Sequence, residues 1–144
     1  MTTPAAEVSD IRWKQRFDNL QRAYRRLRSM LELAAQDPDS DVIRMAVIKA
    51  YEFTFELSWK TLKDYLSYNG IDARLPREAI KQAFATGLLI DGQLWIDMLE
   101  ERNLMAHTYD DARAKAAVTQ IQTRYLAGLD QLHSLLSSKL EKTP

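Results

Sequence analysis

The chain has 144 residues, of which 46% are hydrophobic and 28% charged, and its formal net charge at pH 7 is zero. This balance is typical of a folded protein rather than a disordered one, and zero net charge gives no general attraction to nucleic acid. The chain has no cysteine, which excludes disulfide bonds and thiolate metal sites.

The N-terminal residues and the hydropathy pattern bear on location. The opening MTTPAAEVSD lacks the basic start and the apolar run of a signal peptide, and no stretch approaches the ~20 apolar residues of a membrane span. We therefore expect a cytoplasmic protein with no membrane partner. Gly and Pro number four each, so few positions interrupt long periodic segments, which favours helices.

The first predicted helix follows Asp10. Its apolar residues recur at spacings of four and three, a period near 3.5 that is typical of a long helix packed along a bundle axis. They are Trp13, Phe17, Leu20, Tyr24, Leu27, Leu31 and Ala34. The polar residues 36–41 end this helix and supply N-cap candidates for the next.

The second predicted helix runs from about Asp41 to Tyr68, where Asn69-Gly70 provides a C-cap. One apolar stripe is widened by three further residues, so more than half of the circumference is apolar. The stripe is Ile48, Tyr51, Phe55, Trp59, Leu62 and Leu66, and the widening residues are Val47, Phe53 and Leu57. Such a helix is either central in the fold or shared with another chain.

Three further segments complete the chain. A short helix is predicted over Pro76–Thr86, with Ala79, Ile80, Ala83 and Phe84 facing inward. Asp91-Gly92 opens the next helix, on which Trp95, Met98, Leu99, Arg102 and Met105 share a face. The last helix, after the break at Tyr109-Asp110-Asp111, carries Val118, Ile121, Tyr125, Leu129, Leu132 and Leu136.

These segments predict an all-α fold. Four long helices and one short one, joined by short connections, are typical of an antiparallel up-and-down four-helix bundle with one extra short helix. We expect residues 1–144 to form one domain. Because the first two helices have apolar surface to spare, we also expect a homodimer.

The segment ERNLMAHTYDD (101–111) combines three functional side-chain types at a helix end. Arg102 and Tyr109 are two helical turns apart and point the same way, whereas His107 is about 140° around the axis from Arg102. A regular helix cannot direct all three to one point. Either the helix deforms near Asp110, or a symmetry-related copy supplies the missing group.

The chemistry of these groups suits cleavage of a phosphodiester. Histidine accepts and returns a proton near neutral pH, and arginine offers a planar fork to phosphate oxygens. If the substrate were RNA, its own 2′-hydroxyl could be the nucleophile without a metal. The structural alternatives stay open, because a histidine often caps a helix C-terminus, an arginine snorkels and a tyrosine buries its ring.

Residues 102–109 fit the pattern R-x4-H-x-Y, which resembles the signature of HEPN-type proteins, including the Asn that often follows the Arg. The blocks YEFTFELSWKTLKDYL (51–66), PREAIKQAF (76–84) and DGQLWIDMLEERN (91–103) resemble the nucleotidyltransferase substrate-binding protein family. That family is also described as the HepT toxin of HEPN/MNT toxin–antitoxin pairs. The resemblance spans roughly residues 10 to 140.

The resemblance implies an all-α dimer acting as a metal-independent endoribonuclease, with the motifs of both subunits lining a shared cleft. Arg102 would hold the scissile phosphate of RNA and His107 would act as general acid and base, without metal or cofactor. A cognate minimal nucleotidyltransferase antitoxin would transfer AMP to Tyr109. The alternative implied by the family's older description is a non-catalytic substrate-binding subunit of a two-component nucleotidyltransferase.

Other residues are weaker candidates. Asn103 and Asp110 could support the site, although Asp110 and Asp111 are equally typical of a helix N-cap. The arginines of the first helix could follow an RNA backbone or form a solvated face. Trp59 with Lys60 could stack on a base but is better placed in the core. Glu56–Lys60 is most simply a salt bridge, and His133 is structural.

Overall fold

The computed structural model describes residues 4–106 and 110–142, which contain helices and no strand. The elements are α1 (Pro4–Gln36), α2 (Asp41–Tyr68), α3 (Pro76–Ala85), α4 (Gly92–Met105), α5 (Asp111–Gln120), a π-helical turn (Ile121–Tyr125) and α6 (Leu126–Lys142). Buried side chains from all of them form one hydrophobic cluster. The predicted helical bundle with one short extra helix is confirmed.

Helices α1 and α2 form an antiparallel hairpin. Every residue of the predicted α1 seam is buried, which confirms the 3.5-residue period, although the helix starts at Pro4 rather than after Asp10. Ser40 caps α2 by accepting a hydrogen bond from the backbone N–H of Ile43 at 3.2 Å. Arg16, near the start of α1, donates to the buried carboxylate of Asp64, near the end of α2, at 3.0 Å, which joins the two helices far from the loop that connects them.

The short helix α3 departs from prediction at one residue. Gly70 and Gly87 adopt φ values of +82°, so each ends its helix in the left-handed region that glycine favours. Ala79, Ile80 and Ala83 are buried as expected, but the prediction for Phe84 is wrong, because its side chain is 53% exposed. Phe84 instead covers Gly92, where a Cβ would lie 3.0 Å from its ring, so it packs on the start of α4 rather than in the core.

Helix α4 packs against α2. Trp95, Met98 and Leu99 are buried as predicted. The hydroxyl of Tyr51 on α2 donates to the carbonyl oxygen of Met98 at 2.7 Å in a buried contact. This hydrogen bond fixes α4 relative to α2 one turn before Arg102.

The last predicted helix is continuous but not regular. Between α5 and α6 the chain makes a π-helical turn, in which the backbone N–H of Leu126 bonds to the carbonyl of Ile121. Ile121 and Tyr125 remain buried, and the Tyr125 ring stacks on Tyr51 at 5.8 Å between centroids. The sequence pattern did not predict this turn, because one inserted residue leaves the apolar spacing within helical tolerance.

No helix within residues 4–106 or 110–142 is both long and apolar enough to cross a lipid bilayer. Formation of a homodimer stays a prediction, because the structure contains one chain.

Candidate functional site

Arg102 lies at the end of the buried face of α4. The helix begins at Gly92 after Asp91, whose carboxylate accepts a hydrogen bond from the backbone N–H of Leu94 at 3.0 Å. The face that carries Trp95 and Met98 therefore reaches Arg102 in the last turn. Arg102 is 35% exposed, so the apolar face of α4 ends in a guanidinium that emerges at the surface.

The guanidinium is oriented from α2. Arg102 Nη2 donates to Glu56 Oε2 at 2.8 Å, and Arg102 Nη1 donates to Asn103 Oδ1 at 3.3 Å. Glu56 is 29% exposed, so the ion pair remains in contact with solvent and contributes about 1 kcal/mol or less to folding. Its main consequence is geometric, since it fixes where the arginine points.

Glu56 also holds Lys60, whose Nζ lies 3.4 Å from Glu56 Oε1. This confirms the predicted salt bridge, but its link to Arg102 was missed. The two residues are 46 positions apart, and no local pattern connects them. Glu56 is thus a candidate site residue that only the packing of α2 on α4 reveals.

An open pocket of about 170 Å³ surrounds this pair. It is lined by Arg102 of α4 and by Lys49, Glu52, Phe53 and Glu56 of α2. Phe53, predicted to widen the apolar surface of α2, is 59% exposed at the edge of this pocket. The pocket combines a guanidinium and an ammonium with two carboxylates and an accessible aromatic ring.

A second hollow of about 280 Å³ lies on the other side of Phe53, between α1 and α2. Its floor is apolar, formed by Ala23, Ala50 and Leu57, and Arg22 and Arg26 lie at its rim. Arg22 is paired with Asp18 at 2.9 Å on a solvated face. Phe53 therefore separates two hollows that both carry arginine.

His107 and Tyr109 lie outside the described residues, so their geometry relative to Arg102 stays a prediction. Asp110 is described, and its carboxylate accepts a hydrogen bond from the backbone N–H of Arg113 at 2.8 Å. Asp110 is therefore the N-cap of α5, and its support of His107 stays a prediction.

Trp59 is part of the core as expected, because it is buried beside α2's other inward residues, while Lys60 is engaged by Glu56. The ring nitrogen of Trp59 is buried and has no hydrogen-bond partner among the described residues. Within residues 4–106 and 110–142, no group of three His, Asp or Glu side chains is placed to hold a metal ion.

His133 is held by aromatic rings. Its imidazole stacks on Tyr24 at 4.6 Å between centroids, and its Nε2 is buried without a described partner. Burial lowers the pKa of His133, and the nearby charge of Arg25 lowers it further. Burial and the hydrogen bond to Asp130 raise the pKa of Tyr24, whose hydroxyl also accepts from Arg28 at 3.0 Å. These contacts are those of a histidine packed between helices, which agrees with the structural role predicted for His133.

Comparison with known sequences identifies the family. The profile of proteins described as nucleotidyltransferase substrate binding protein like matches residues 15–138, which is most of the chain. The chain belongs to this family. The resemblance carried by residues 51–66, 76–84 and 91–109 is thereby confirmed.

Similar proteins include a curated relative and a solved structure from Haemophilus influenzae. The chain is 31% identical over 86 residues to the probable ribonuclease HepT of Haemophilus influenzae, a match covering 56% of this chain and 59% of that protein. The chain thus spans about three-fifths of the length of this curated relative. A solved Haemophilus influenzae protein, described as showing the fold of a substrate-binding domain of a nucleotidyltransferase, is 25% identical with a TM-score of 0.72, covering 84% of this chain and 98% of its own.

The fold is also shared with a solved protein of much lower sequence identity. A tri-AMPylated HEPN toxin of Shewanella oneidensis, solved in complex with its MNT antitoxin, superimposes with a TM-score of 0.71 over 88% of this chain and 96% of its own. At 12% identity this likeness concerns the fold alone. It shows that the two chains share one helical fold.

Proposed function

We propose that this protein is the toxin of a HEPN/MNT toxin–antitoxin pair, a metal-independent endoribonuclease that works as a homodimer. Arg102 and His107 act on the RNA, Asn103 and Asp110 support them, and residues 1–144 form one domain of this type. A cognate minimal nucleotidyltransferase neutralises the protein by transferring AMP to Tyr109. The observation that carries the proposal is the motif R-x4-H-x-Y in a member of this family, with its arginine at an open pocket.

The environment of Arg102 supports a phosphate-binding role. Its guanidinium is partly exposed and held on one edge by Glu56 at 2.8 Å, which leaves other N–H groups available to an anion. Lys49 adds a second cation to the same pocket. A guanidinium fixed before substrate arrives stabilises phosphate charge without reorganising during the reaction.

The proposed reaction uses the RNA's own nucleophile. The 2′-oxygen attacks the adjacent phosphorus while His107 accepts its proton, and the bond from phosphorus to the 5′-oxygen breaks. The leaving oxygen receives a proton from an imidazolium, and the phosphate left behind is a 2′,3′-cyclic diester. Arg102 binds the non-bridging oxygens, on which negative charge accumulates.

Neutralisation follows from charge at Tyr109. The phenol oxygen forms a bond to the α-phosphorus of ATP, pyrophosphate leaves, and the phenolic proton is lost. The AMP group adds a negative phosphate seven residues after Arg102 in sequence. It would compete for the guanidinium and repel the RNA backbone. The name of the Shewanella toxin, a tri-AMPylated protein bound to its antitoxin, supports this step.

The central test compares purified wild type with Arg102→Ala and His107→Ala on total RNA in excess EDTA. Wild type should cleave, both variants should lose cleavage, and the products should end in 2′,3′-cyclic phosphate and 5′-hydroxyl. Matched controls are Arg77→Ala, an exposed arginine on α3, and His133→Gln, the chain's other histidine. Absence of cleavage by the wild type, or equal loss in the controls, would contradict the ribonuclease.

The modification is tested separately by intact mass. Incubation with the cognate transferase and ATP should add whole AMP units to wild type and none to Tyr109→Phe. Tyr68→Phe, a half-exposed tyrosine on α2, is the matched control. Retention of the AMP units by Tyr109→Phe would exclude Tyr109 as the acceptor.

A second function, the non-catalytic substrate-binding subunit, is favoured by the family's description and by the Haemophilus structure. In that role Arg102 and Lys49 would hold a nucleotide phosphate for the transferase rather than RNA. Wild-type protein that never cleaves RNA but raises the transferase's activity on a third molecule would support this function.

A further inference from the structure

We propose that Arg124, in the π-helical turn between α5 and α6, is a positioning residue for Arg102. By binding Asp97 it fixes how α4 is rotated about its own axis, and so where the guanidinium of Arg102 lies. The inference rests on the proposed function for the role of Arg102 in the reaction, but not for the contact itself. It extends that function to a residue outside the R-x4-H-x-Y motif.

Asp97 lies on a different face of α4 from Arg102. The two residues are five positions apart, which separates them by about 140° around the helix axis. Arg124 Nη2 donates to Asp97 Oδ2 at 2.8 Å, and Gln93 Nε2 donates to Asp97 Oδ1 at 2.9 Å. Both hydrogen bonds lower the pKa of Asp97, that of Arg124 most, so the carboxylate stays ionised near neutral pH.

Helix α4 is therefore held from two directions. On one side α2 contacts it, through the hydroxyl of Tyr51 on the Met98 carbonyl at 2.7 Å and through the ion pair of Arg102. On the other side Arg124 binds Asp97. A rotation of about 10° moves a group at the ~6 Å outer radius of a helix by about 1 Å. Since a displacement of that size can slow a reaction by about 100-fold, a second contact that prevents it matters to the site.

The π-helical turn accounts for the direction of Arg124. Buried residues recur at spacings of four through this part of the chain, at Ala117, Ile121, Tyr125 and Leu129. In a regular α-helix each such step drifts by about 40° around the axis. The wider π-helical turn offsets the drift, so that Tyr125 stays in the core against Tyr51 while the neighbouring Arg124 reaches α4.

Helix α6 approaches α4 closely just after this turn. A Cβ on Gly128 would lie 3.0 Å from Leu94 Cδ2 and 3.5 Å from Trp95 Nε1, so a larger residue would push the two helices apart. This close approach brings the π-helical turn within reach of Asp97. The pair nevertheless stays in contact with solvent, with Arg124 45% and Asp97 28% exposed.

The same turn is joined to the other flank of the motif. Helix α5 begins at Asp111, after its N-cap Asp110, and continues into the π-helical turn with Ala117 and Ile121 fully buried. The turn that carries Arg124 therefore contacts α4, which precedes residues 107–109, and continues α5, which follows them. An ion pair exposed to solvent contributes little to folding, so the loss of Arg124 should affect the site more than the stability.

The activity test compares wild type with Arg124→Ala, Arg124→Lys and the matched control Arg74→Ala in excess EDTA. Arg74 also forms a solvent-exposed ion pair, with Asp72 at 3.3 Å, but lies before α3. Arg124→Ala should lower kcat for RNA by about tenfold and change KM by less than about twofold, because binding is retained while the geometry is lost. Arg124→Lys keeps the charge and should recover most of kcat, and Arg74→Ala should leave kcat unchanged.

A double-variant cycle tests whether Arg124 acts through Asp97. Asp97→Ala should lower kcat as much as Arg124→Ala does, and the double variant should lose no more than either single variant. Thermal unfolding should show Tm lowered by no more than about 3 °C in each single variant. Losses of kcat that multiply in the double variant would overturn the role of the contact.

The position of Arg102 is measured without RNA by nuclear magnetic resonance. Arg124→Ala should shift the resonance of the Arg102 Nε–Hε group and speed hydrogen exchange in the last turn of α4 by about tenfold. Arg74→Ala should leave both unchanged. An unshifted Arg102 resonance in Arg124→Ala would overturn the proposal.

These outcomes are separate from the fate of the proposed function. A shifted Arg102 resonance in a protein that cleaves no RNA would retain the contact and reject the ribonuclease. RNA cleavage by wild type that is unchanged in Arg124→Ala would retain the ribonuclease and reject the positioning role.

Discussion

Helix α2 carries two carboxylates, eight residues apart, that each bind an arginine from another helix. Asp64 receives Arg16 of α1 at 3.0 Å and is only 3% exposed, whereas Glu56 receives Arg102 of α4 at 2.8 Å and remains 29% exposed. The distances are similar, but the surroundings differ. The two arginines are similarly exposed, at 32% and 35%, so the difference lies in the carboxylates: Asp64 is closed off between α1 and α2, and Glu56 opens onto a pocket.

The difference in burial separates two uses of the same chemistry. A carboxylate removed from water depends on its cation, because an unpaired buried charge is costly. A solvated pair contributes little to folding, since water can replace either partner. The Arg16–Asp64 pair therefore contributes to the stability of the α1–α2 hairpin, whereas the proposed role of Arg102 requires its solvated pair with Glu56 to open for a phosphate.

The largest expected effect concerns activity. Arg102→Ala should lower kcat/KM for RNA by about 10²–10³-fold, because it removes a cation that stabilises charge in the transition state. Arg16→Ala, assayed below its unfolding temperature, should retain most of the activity. Equal loss of activity by both variants in single-turnover assays would contradict the separate roles of Arg102 and Arg16.

Stability should show the opposite order. Arg16→Ala leaves the Asp64 carboxylate buried without its partner and should lower the free energy of unfolding by about 3 kcal/mol. Arg102→Ala should change it by about 1 kcal/mol or less, since Glu56 stays in contact with water. Urea unfolding followed by circular dichroism gives both values, and equal losses would refute the distinction.

The anchor of α4 on α2 is a smaller test. Tyr51→Phe removes the hydrogen bond to the Met98 carbonyl and should lower the free energy of unfolding by about 1 kcal/mol. Because that bond fixes the turn before Arg102, cleavage should fall too, but by less than in Arg102→Ala. A variant with unchanged stability and unchanged cleavage would show that this contact does not position the arginine.

The smallest expected effect is the pH dependence contributed by His133. Its pKa is lowered in the fold, so the unfolded chain binds more protons once pH falls below its ordinary pKa of about 6.5. The stabilisation is fully present above that pH and is lost as pH falls toward the folded pKa. Urea unfolding between about pH 7.5 and pH 5 should show the free energy of unfolding fall with pH in wild type, and this fall should be absent in His133→Phe. An identical slope in both proteins would assign the fall to another group.

The periodic apolar residues made most of the fold predictable. The seam of α1 was read correctly because every one of its residues packs on the same side, and Gly70 ended α2 because a left-handed residue terminates a helix locally. Phe84 was misplaced because helical spacing gives its direction but not whether a neighbour covers that side. The π-helical turn was missed because four-residue spacing continues through it.

For the candidate site, the sequence supplied identities and the structure supplied partners. The motif of Arg102, His107 and Tyr109, together with the blocks at 51–66, 76–84 and 91–103, predicted the family, which the match over residues 15–138 confirms. The chemistry of these three residues stays a prediction. The contact of Glu56 with Arg102, and the exposure of Phe53 between two hollows, arise only when α2 packs against α1 and α4. Local spacing determines which side chains share a helix face, whereas only the packing of helices distant in sequence decides which of those faces meet.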